Sequence, residues 1–291
     1  MKVDKTNGYV KYNDEKHLYW DDNDERYVSV TTLIGKFEHE FDKDFWSSYK
    51  AAEKLIPEEG WKLERPRLLN TKRFNKEILS LYSIDEESFN KSKQAILDQW
   101  AEENRISCER GTKIHAGLEE SMCKPEVTLE KYDIGGKFTY KKDYYKLDLE
   151  KGVYPEFLIH YKTKDGILKL AGQVDLLIKD GNHITIVDYK TNKKLDQKSF
   201  FDTSIKGNTK MKYPLNNIMD CNFLHYTLQL STYAWMVQQL NPEFIIDRLI
   251  IVHYDHSDKV TKYDIEYKKD DVIRMLKYHK YRSMVDKELD K

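Results

Sequence analysis

VYPEFLIHYKTKDGILKLAGQVDLLIKDGNHITIVDYKT, residues 153–191, decides how this chain folds. After the short strands of the first 30 residues, apolar residues recur at a helical spacing, and here the period drops to two. VYPEFLIHYK, ILKLAGQVDLLIK and HITIVDYK read as three strands, and KDG and KDGN between them are strong hairpin signals. The turns fix which side chains share a face. With Gly181–Asn182 as the loop of the second hairpin, Asp175 faces Asp188; with Asp180–Gly181 it faces Ile186. Either way Asp175 and Asp188 lie on one face. With Asp165–Gly166 as the loop of the first hairpin, Glu156 faces Asp175, and a Lys164–Asp165 loop keeps the same face. Lys190 lies two residues beyond Asp188 and shares its side.

The expected arrangement is a row of Glu156, Asp175 and Asp188 across three neighbouring strands, with Lys190 beside it. Opposed side chains in a sheet sit about 4.5–5.5 Å apart at Cβ. Like charges at that spacing repel unless a cation lies among them. The same face is expected to carry Leu158, Leu177, Ile184 and Ile186, so it is not simply a solvent face. Carboxylates at the edge of an apolar face, with one lysine, describe a divalent-metal site. DYK alone would be an ordinary solvated tripeptide; the aligned row is what gives it weight.

Outward from this core, GTKIHAGLEE sets His115 and Glu119 four residues apart on one face of a helix expected over roughly 108–122. QLSTY sets Gln229 and Tyr233 at the same spacing on a helix over roughly 222–240, among Leu228, Leu230, Trp235 and Met236. A half-buried polar pair on an amphipathic helix accounts for it equally well. FIIDRLIIVHY and KYDIEY give two more strands, and a closing helix starts near Asp270. Towards the N-terminus, GYVKY, HLYW and YVSV read as short strands. Ser29 or Thr31 can cap a helix through Phe37, and Asp42 can cap DKDFWSSYKAAEKL. Pro57, Gly60 and Pro66 should break the chain before helices over 67–82 and 86–104. This order predicts an α/β (α+β) fold: a mixed central sheet with an antiparallel three-strand meander, flanked by helices. Residues 1–104 are expected to form an N-terminal region of strands and helices packed on a core of 105–291, with 124–151 as an insertion or mobile arm.

Composition narrows the function classes. The 291 residues hold 49 Lys and Arg against 50 Asp and Glu, a net charge of −1. A strongly basic nucleic-acid coat is excluded, so a polyanion must be held by a local patch. Candidates are Lys193, Lys194 and Lys198, then Lys206, Lys210 and Lys212, and Lys137, Lys141, Lys142 and Lys146 in the arm. Trp46, Tyr132, Tyr140, Tyr144 and Tyr145 could stack bases, as core or linker residues could equally look. Three cysteines, Cys108, Cys123 and Cys221, cannot build a disulfide scaffold or a four-thiolate cluster. No stretch approaches the length of an apolar span, and no secretory signal core is visible. The expectation is a soluble protein of a reducing compartment, not secreted and without a membrane partner. HYDH (His253, His256) reads as a strand end in a polar turn, and Cys108 lacks the partners of a thiol nucleophile.

GTKIH, PEFLI, LAGQVDLLI, IVDYKT and QLSTY, in that order over about residues 105–240, resemble the PD-(D/E)xK nuclease superfamily in its RecB-like branch. YVSVTTLIGKFEHEFDKDFW and KYPLNNIMDCNFLHYTLQLSTYAW resemble stand-alone phage-encoded exonucleases of that branch. The resemblance implies a restriction-endonuclease-like core. It implies His115, Asp175, Asp188 and the Tyr189 carbonyl as metal ligands, and Lys190 to position and help deprotonate the attacking water. Glu156 would sit behind the ligands or bind a second ion through water, with Glu119 as a supporting residue. Gln229 and Tyr233 would orient DNA, and Gly172 would allow close packing of strand and helix. Lys193, Lys210 and Lys212 would hold phosphates. The implied cofactor is Mg²⁺ or Mn²⁺, with Mn²⁺ favoured by the imidazole ligand, and no iron–sulfur cluster. The implied activity is hydrolysis at DNA ends, with single strands preferred, in phage recombination, replication or end processing. Location would be cytoplasmic, that of the host if phage-encoded. A homo-oligomer or a recombination or replication partner protein is compatible with it. The alternatives are a structure-specific endonuclease or nickase, and a non-catalytic nucleic-acid-binding protein on a nuclease scaffold.

Overall fold

The computed structural model describes residues 2–123, 138–141, 146–202 and 206–289. In chain order the elements are β1 (Lys5–Thr6), β2 (Val10–Asn13), β3 (Leu18–Asp21), β4 (Arg26–Ser29), α1 (Val30–Gly35), α2 (Lys43–Leu55), α3 (Glu58–Thr71), α4 (Glu77–Leu81) and α5 (Glu86–Cys123). They continue with β5 (Phe138–Lys141), β6 (Lys146–Leu149), β7 (Gly152–Lys162), β8 (Lys169–Asp180), β9 (His183–Lys190), β10 (Phe201–Asp202) and β11 (Gly207–Asn208). The last are α6 (Asn222–Leu240), β12 (Ile245–Tyr254), β13 (Val260–Asp264) and α7 (Lys269–Leu289). The chain forms two compact units, one of residues 1–38, 111–198 and 210–291, the other of 39–110 and 199–209.

The first unit holds a mixed sheet in the order β1-β2-β3-β4-β8-β9-β12-β13, and β7 pairs with β8 along its other edge. The pairs β7–β8 and β8–β9 are antiparallel, while β4–β8 and β9–β12 are parallel. This is the expected mixed sheet with flanking helices, in the restriction-endonuclease-like manner. The edge of β8 opposite β7 is shared. Leu170 and Ala171 pair with β4, and Leu176 to Asp180 pair with β9. Gly172 to Asp175 lie in the gap between those two partners.

Both hairpins keep the expected register. Asp180 pairs with His183, so Gly181–Asn182 form the second loop, and Gly181 takes the positive φ that such a turn requires. In the first hairpin Lys162 pairs with Lys169 and Phe157 with Val174. One step is missing. Pairing resumes at Pro155–Leu176, and Glu156, with φ +50°, does not pair with Asp175. On both strands the alternation changes phase at this step. Phe157, Ile159, Leu170 and Val174 enter the main core, and so do Tyr154 and Leu177, three residues away instead of two. Leu158 therefore leaves the face of Leu177, Ile184 and Ile186, contrary to strict alternation. It packs with Val10, Tyr12, Tyr19, Tyr27 and Ala171 under the N-terminal strands.

The main core joins the sheet to α6, α1 and α7 through residues such as Leu230, Leu33 and Met275. On the opposite side, Val153, Leu176, Val187 and Tyr189 form a smaller cluster against Leu118 of α5. Ser29 caps α1 by accepting the Thr32 N–H at 3.0 Å. In the second unit Asp42 caps α2 by accepting the Phe45 N–H at 2.9 Å. There the expected break is present at Pro57, which separates α2 from α3, but absent at Gly60 and Pro66: α3 runs through both, with Gly60 making room for the Tyr82 ring. The region read as helix over 67–82 is instead the end of α3, a linker and the short α4. The helices read over 86–104 and 108–122 are one, α5, since the intervening residues carry no breaker. Of the expected arm, 124–137 and 142–145 lie outside the described residues, with Tyr132, Lys137, Lys142, Tyr144 and Tyr145, and so do the side chains of Tyr140 and Lys141. Its described part is the ribbon β5–β6.

Candidate active site

The site lies at the gap on the edge of β8. Asp175 stands at the phase change, and its Oδ2 accepts the Tyr189 backbone N–H at 2.7 Å. Asp175 is thereby tied to β9 one residue past Asp188, where the β8–β9 ladder has already ended. His115 comes from α5, its Nδ1 3.8 Å from Asp175 Oδ2 and its ring edge-on to Tyr189. Glu156 receives the Gln173 side-chain amide and lies 3.4 Å from Lys5 Nζ, which is also 4.0 Å from Glu119. One ligand atom from each of His115, Glu156 and Asp175 falls within 4.8 Å of the others, the only such group among the described residues.

Asp188 is outside that triad and points to the α6 side. It is 2% exposed, with Lys190 Nζ at 2.7 Å from Oδ2 and Gln229 Nε2 donating to Oδ1 at 3.2 Å. Lys190 also donates to Gln229 Oε1 at 3.3 Å and lies over the Tyr226 ring at 4.5 Å. One amide thus holds both members of the pair. Tyr233, 3% exposed, lies one helical turn beyond Gln229 on α6. Its ring occupies the space a side chain at Gly172 would need, since a Cβ there would meet Tyr233 Cε1 at 2.5 Å. Tyr233 is therefore a packing residue under Gln229 and does not face solvent.

Burial sets the charge states. It lowers the His115 imidazole, with Lys190 adding to the effect, so the ring is neutral and its lone pair free to coordinate at neutral pH. Burial raises the Asp175 and Asp188 carboxyls against the pull of Lys190. Burial also acts to lower Lys190, but Asp188 and Asp175 outweigh it and hold the ammonium charged. Glu156 is pushed up to about 7 by burial and by Asp175. An acid raised above its unfolded value of 4.5 costs stability as it ionises. The stability of the metal-free protein should therefore fall as pH rises from about 4.5 to about 7, by up to about 1.4 kcal/mol per unit. Added Mn²⁺ should reverse the fall, and Glu156→Gln should make it shallower, leaving the part due to Asp175 and Asp188; thermal melts in EDTA across that range, unchanged by Glu156→Gln, would contradict this.

The residues fit a divalent cation. A neutral imidazole and two carboxylates are gathered at the cost of mutual repulsion, and both carboxyls are raised, as expected of acids waiting for a positive partner. Lys5 and Gln173 join the site without being among the residues expected from the sequence. Gln173 lies two residues before Asp175 and could have been found by alternation; Lys5 arrives only through the fold of the N-terminal strands. His253, set aside as a turn residue, is 6% exposed, and its Nε2 is 2.7 Å from the Asn192 carbonyl just beyond Lys190. Lys193, Lys210 and Lys212 are all exposed.

No curated protein matches the chain. Among solved structures it resembles SSO0001, at 14% identity and TM-score 0.36 over 88% of this chain and 75% of that one. It also resembles a candidate exonuclease from Eubacterium rectale, at 13% identity and TM-score 0.34 over 89% and 80%. The family model of the PD-(D/E)XK nuclease superfamily matches residues 71–279, a span that contains every residue of the triad and of the Asp188–Lys190 pair. These nucleases use divalent metals to cut DNA, and this chain belongs to that superfamily.

Proposed function

We propose that this protein is a divalent-metal-dependent exonuclease that hydrolyses phosphodiester bonds at DNA ends, prefers single strands, and serves phage DNA recombination, replication or end processing. The observation that carries the reading is the convergence of His115, Glu156 and Asp175 within 4.8 Å beside the buried Asp188–Lys190 pair. Its end-directed form rests on the resemblance of the segments at residues 27–46 and 212–235 to stand-alone exonucleases.

His115, Asp175 and Glu156 would hold Mg²⁺ or Mn²⁺ with the Tyr189 carbonyl as a further ligand, Asp188 would join them only by turning from Lys190 and Gln229, and the ion would supply Lewis acidity to water and phosphate. Lys190 contributes the rest of the charge. Asp188 keeps it protonated, so it stabilises negative charge developing on the phosphate and orients the attacking water by hydrogen bonding. Gln229 restricts the Lys190 ammonium and the Asp188 carboxylate to one arrangement, and Tyr233 restricts Gln229. Exposed Lys193, Lys210 and Lys212 take phosphates of the bound strand, so affinity should fall by about 0.7 log units per contact per decade of salt.

Cleavage should be faster with Mn²⁺ than with Mg²⁺, little supported by Ca²⁺ and absent in EDTA. Equal rates with Mn²⁺ and Mg²⁺ would count against His115 as a ligand. The deciding assay compares end-labelled linear DNA with covalently closed circles. An exonuclease leaves the circle intact; cutting of the circle would establish the endonuclease alternative.

A further inference from the structure

We infer that a groove between the loop at residues 211–215 and helix α7 is a second binding site for single-stranded polynucleotide, upstream or downstream of the bond that is cut. This rests on the reading that DNA is the substrate. The groove has a volume of about 590 Å³ and is lined by Lys36, Phe37, Lys212, Tyr213, Tyr278 and Arg282. That is within the range of a small-ligand site and suits one nucleotide unit.

Tyr213 is the main argument. It is 67% exposed, a large aromatic surface left to solvent. Yet its loop is firmly held. Met211 and Leu215 on either side are buried in the main core, and the Lys212 N–H donates to the Phe37 carbonyl at 2.7 Å. The Tyr213 ring stands edge-on to Tyr278 at 5.3 Å, and Tyr278 is 6.1 Å from Phe37. Three rings thus lead from the core to the surface, with the outermost presenting a free face. An ordered aromatic on an anchored loop loses little entropy when a flat ring stacks on it.

Charge points to the same ligand. Lys36, Lys212 and Arg282 are exposed around the rings, and Asp286 is the acid in the lining, near Arg282 at 3.9 Å. A surplus of cations beside a stacking ring suits a base with its phosphates. A protein partner would need no such surplus. The groove also joins the active site through side chains. Glu38, next to Phe37, lies 3.5 Å from His225 Nδ1, and the following residue, Tyr226, is the ring under Lys190.

The test uses the full chain with Lys190 intact and fluorescence anisotropy in EDTA, so that strands survive. Labelled strands of two lengths are compared, a dinucleotide and one of about 20 nucleotides. Tyr213→Ala should weaken the long strand by about tenfold, Tyr213→Phe should restore it, and the dinucleotide should bind unchanged. Arg282→Glu should weaken the long strand and lower its salt slope by about 0.7 per lost contact. Equal affinity of wild type and both variants for the long strand overturns the inference and leaves Tyr213 to a protein surface. Equal loss on both lengths also overturns it, because the groove would then not be a separate site. Melting curves of the variants matching the parent exclude misfolding, and the Tyr213→Phe rescue covers a partial loss. The nuclease reading is judged apart, by Mn²⁺-dependent hydrolysis of bis(p-nitrophenyl) phosphate with Lys190 intact. That reaction needs no groove, so its absence would sink the nuclease reading while leaving the strand-binding result to stand or fall alone.

Discussion

Lys190→Ala is expected to lose cleavage by about 10³-fold or more, and to lose stability as well. The first loss follows from the position of the ammonium beside the acidic triad, paired with Asp188 on the α6 side. The second follows from Asp188. That carboxylate is 2% exposed and keeps only the Gln229 amide once Lys190 is gone. Breaking a buried ion pair by removing one partner typically costs about 3–5 kcal/mol. Asp188 can escape part of this by taking up a proton, since burial already raises its carboxyl. Urea midpoints should therefore show a larger deficit at pH 8 than at pH 5. Asp188→Asn placed in the same chain should recover most of the stability and none of the cleavage. Lys190→Ala with wild-type cleavage would end the metal-nuclease reading. Lost cleavage with unchanged urea midpoints at both pH values would show that the pair is solvated in solution.

Gly172→Ala carries the next largest expectation. A methyl group there would meet the Tyr233 ring at 2.5 Å and its hydroxyl at 2.9 Å. Tyr233 is 3% exposed and packed within the main core, so it has little room to retreat. Overpacking of this kind costs about 1–3 kcal/mol. Whatever shift relieves the clash moves the ring that supports Gln229, so cleavage should fall alongside stability. Pairing Gly172→Ala with Tyr233→Leu should return much of the stability but not the cleavage. A double-mutant cycle measures this, and a coupling energy near zero would mean the two residues do not press on each other.

The sheet was legible in residues 153–191 because two tight turns fixed the register and period-two alternation marked the strands. The face assignment failed at Leu158, since a calculation from alternation cannot see a left-handed residue in mid-strand. Nothing in the letters of Glu156 announces φ +50°. The single helix α5 was read as two because its polar middle interrupts the apolar pattern without supplying a breaker. As candidates, Asp175, Asp188, Lys190, His115, Glu156 and Gln229 are all legible in the sequence. Their grouping is not: the structure sets Glu156 with His115 and Asp175, and Asp188 with Lys190 and Gln229. That division depends on which side of the sheet each side chain takes after the phase change. Lys5 was beyond reach, because its approach to Glu156 depends on the path of the N-terminal strands across the β7–β8 pair.

The coincident phase change on β7 and β8 has an engineering consequence. Each strand is inverted midway, so an apolar residue that points inward before the step would point outward if copied past it. A chimera that splices in half of one hairpin arm from another protein with continuous alternation would turn its hydrophobic side to water from the splice onward. Grafts into this hairpin should therefore replace both arms together, cutting on the same side of the Glu156–Asp175 step, or leave the step untouched.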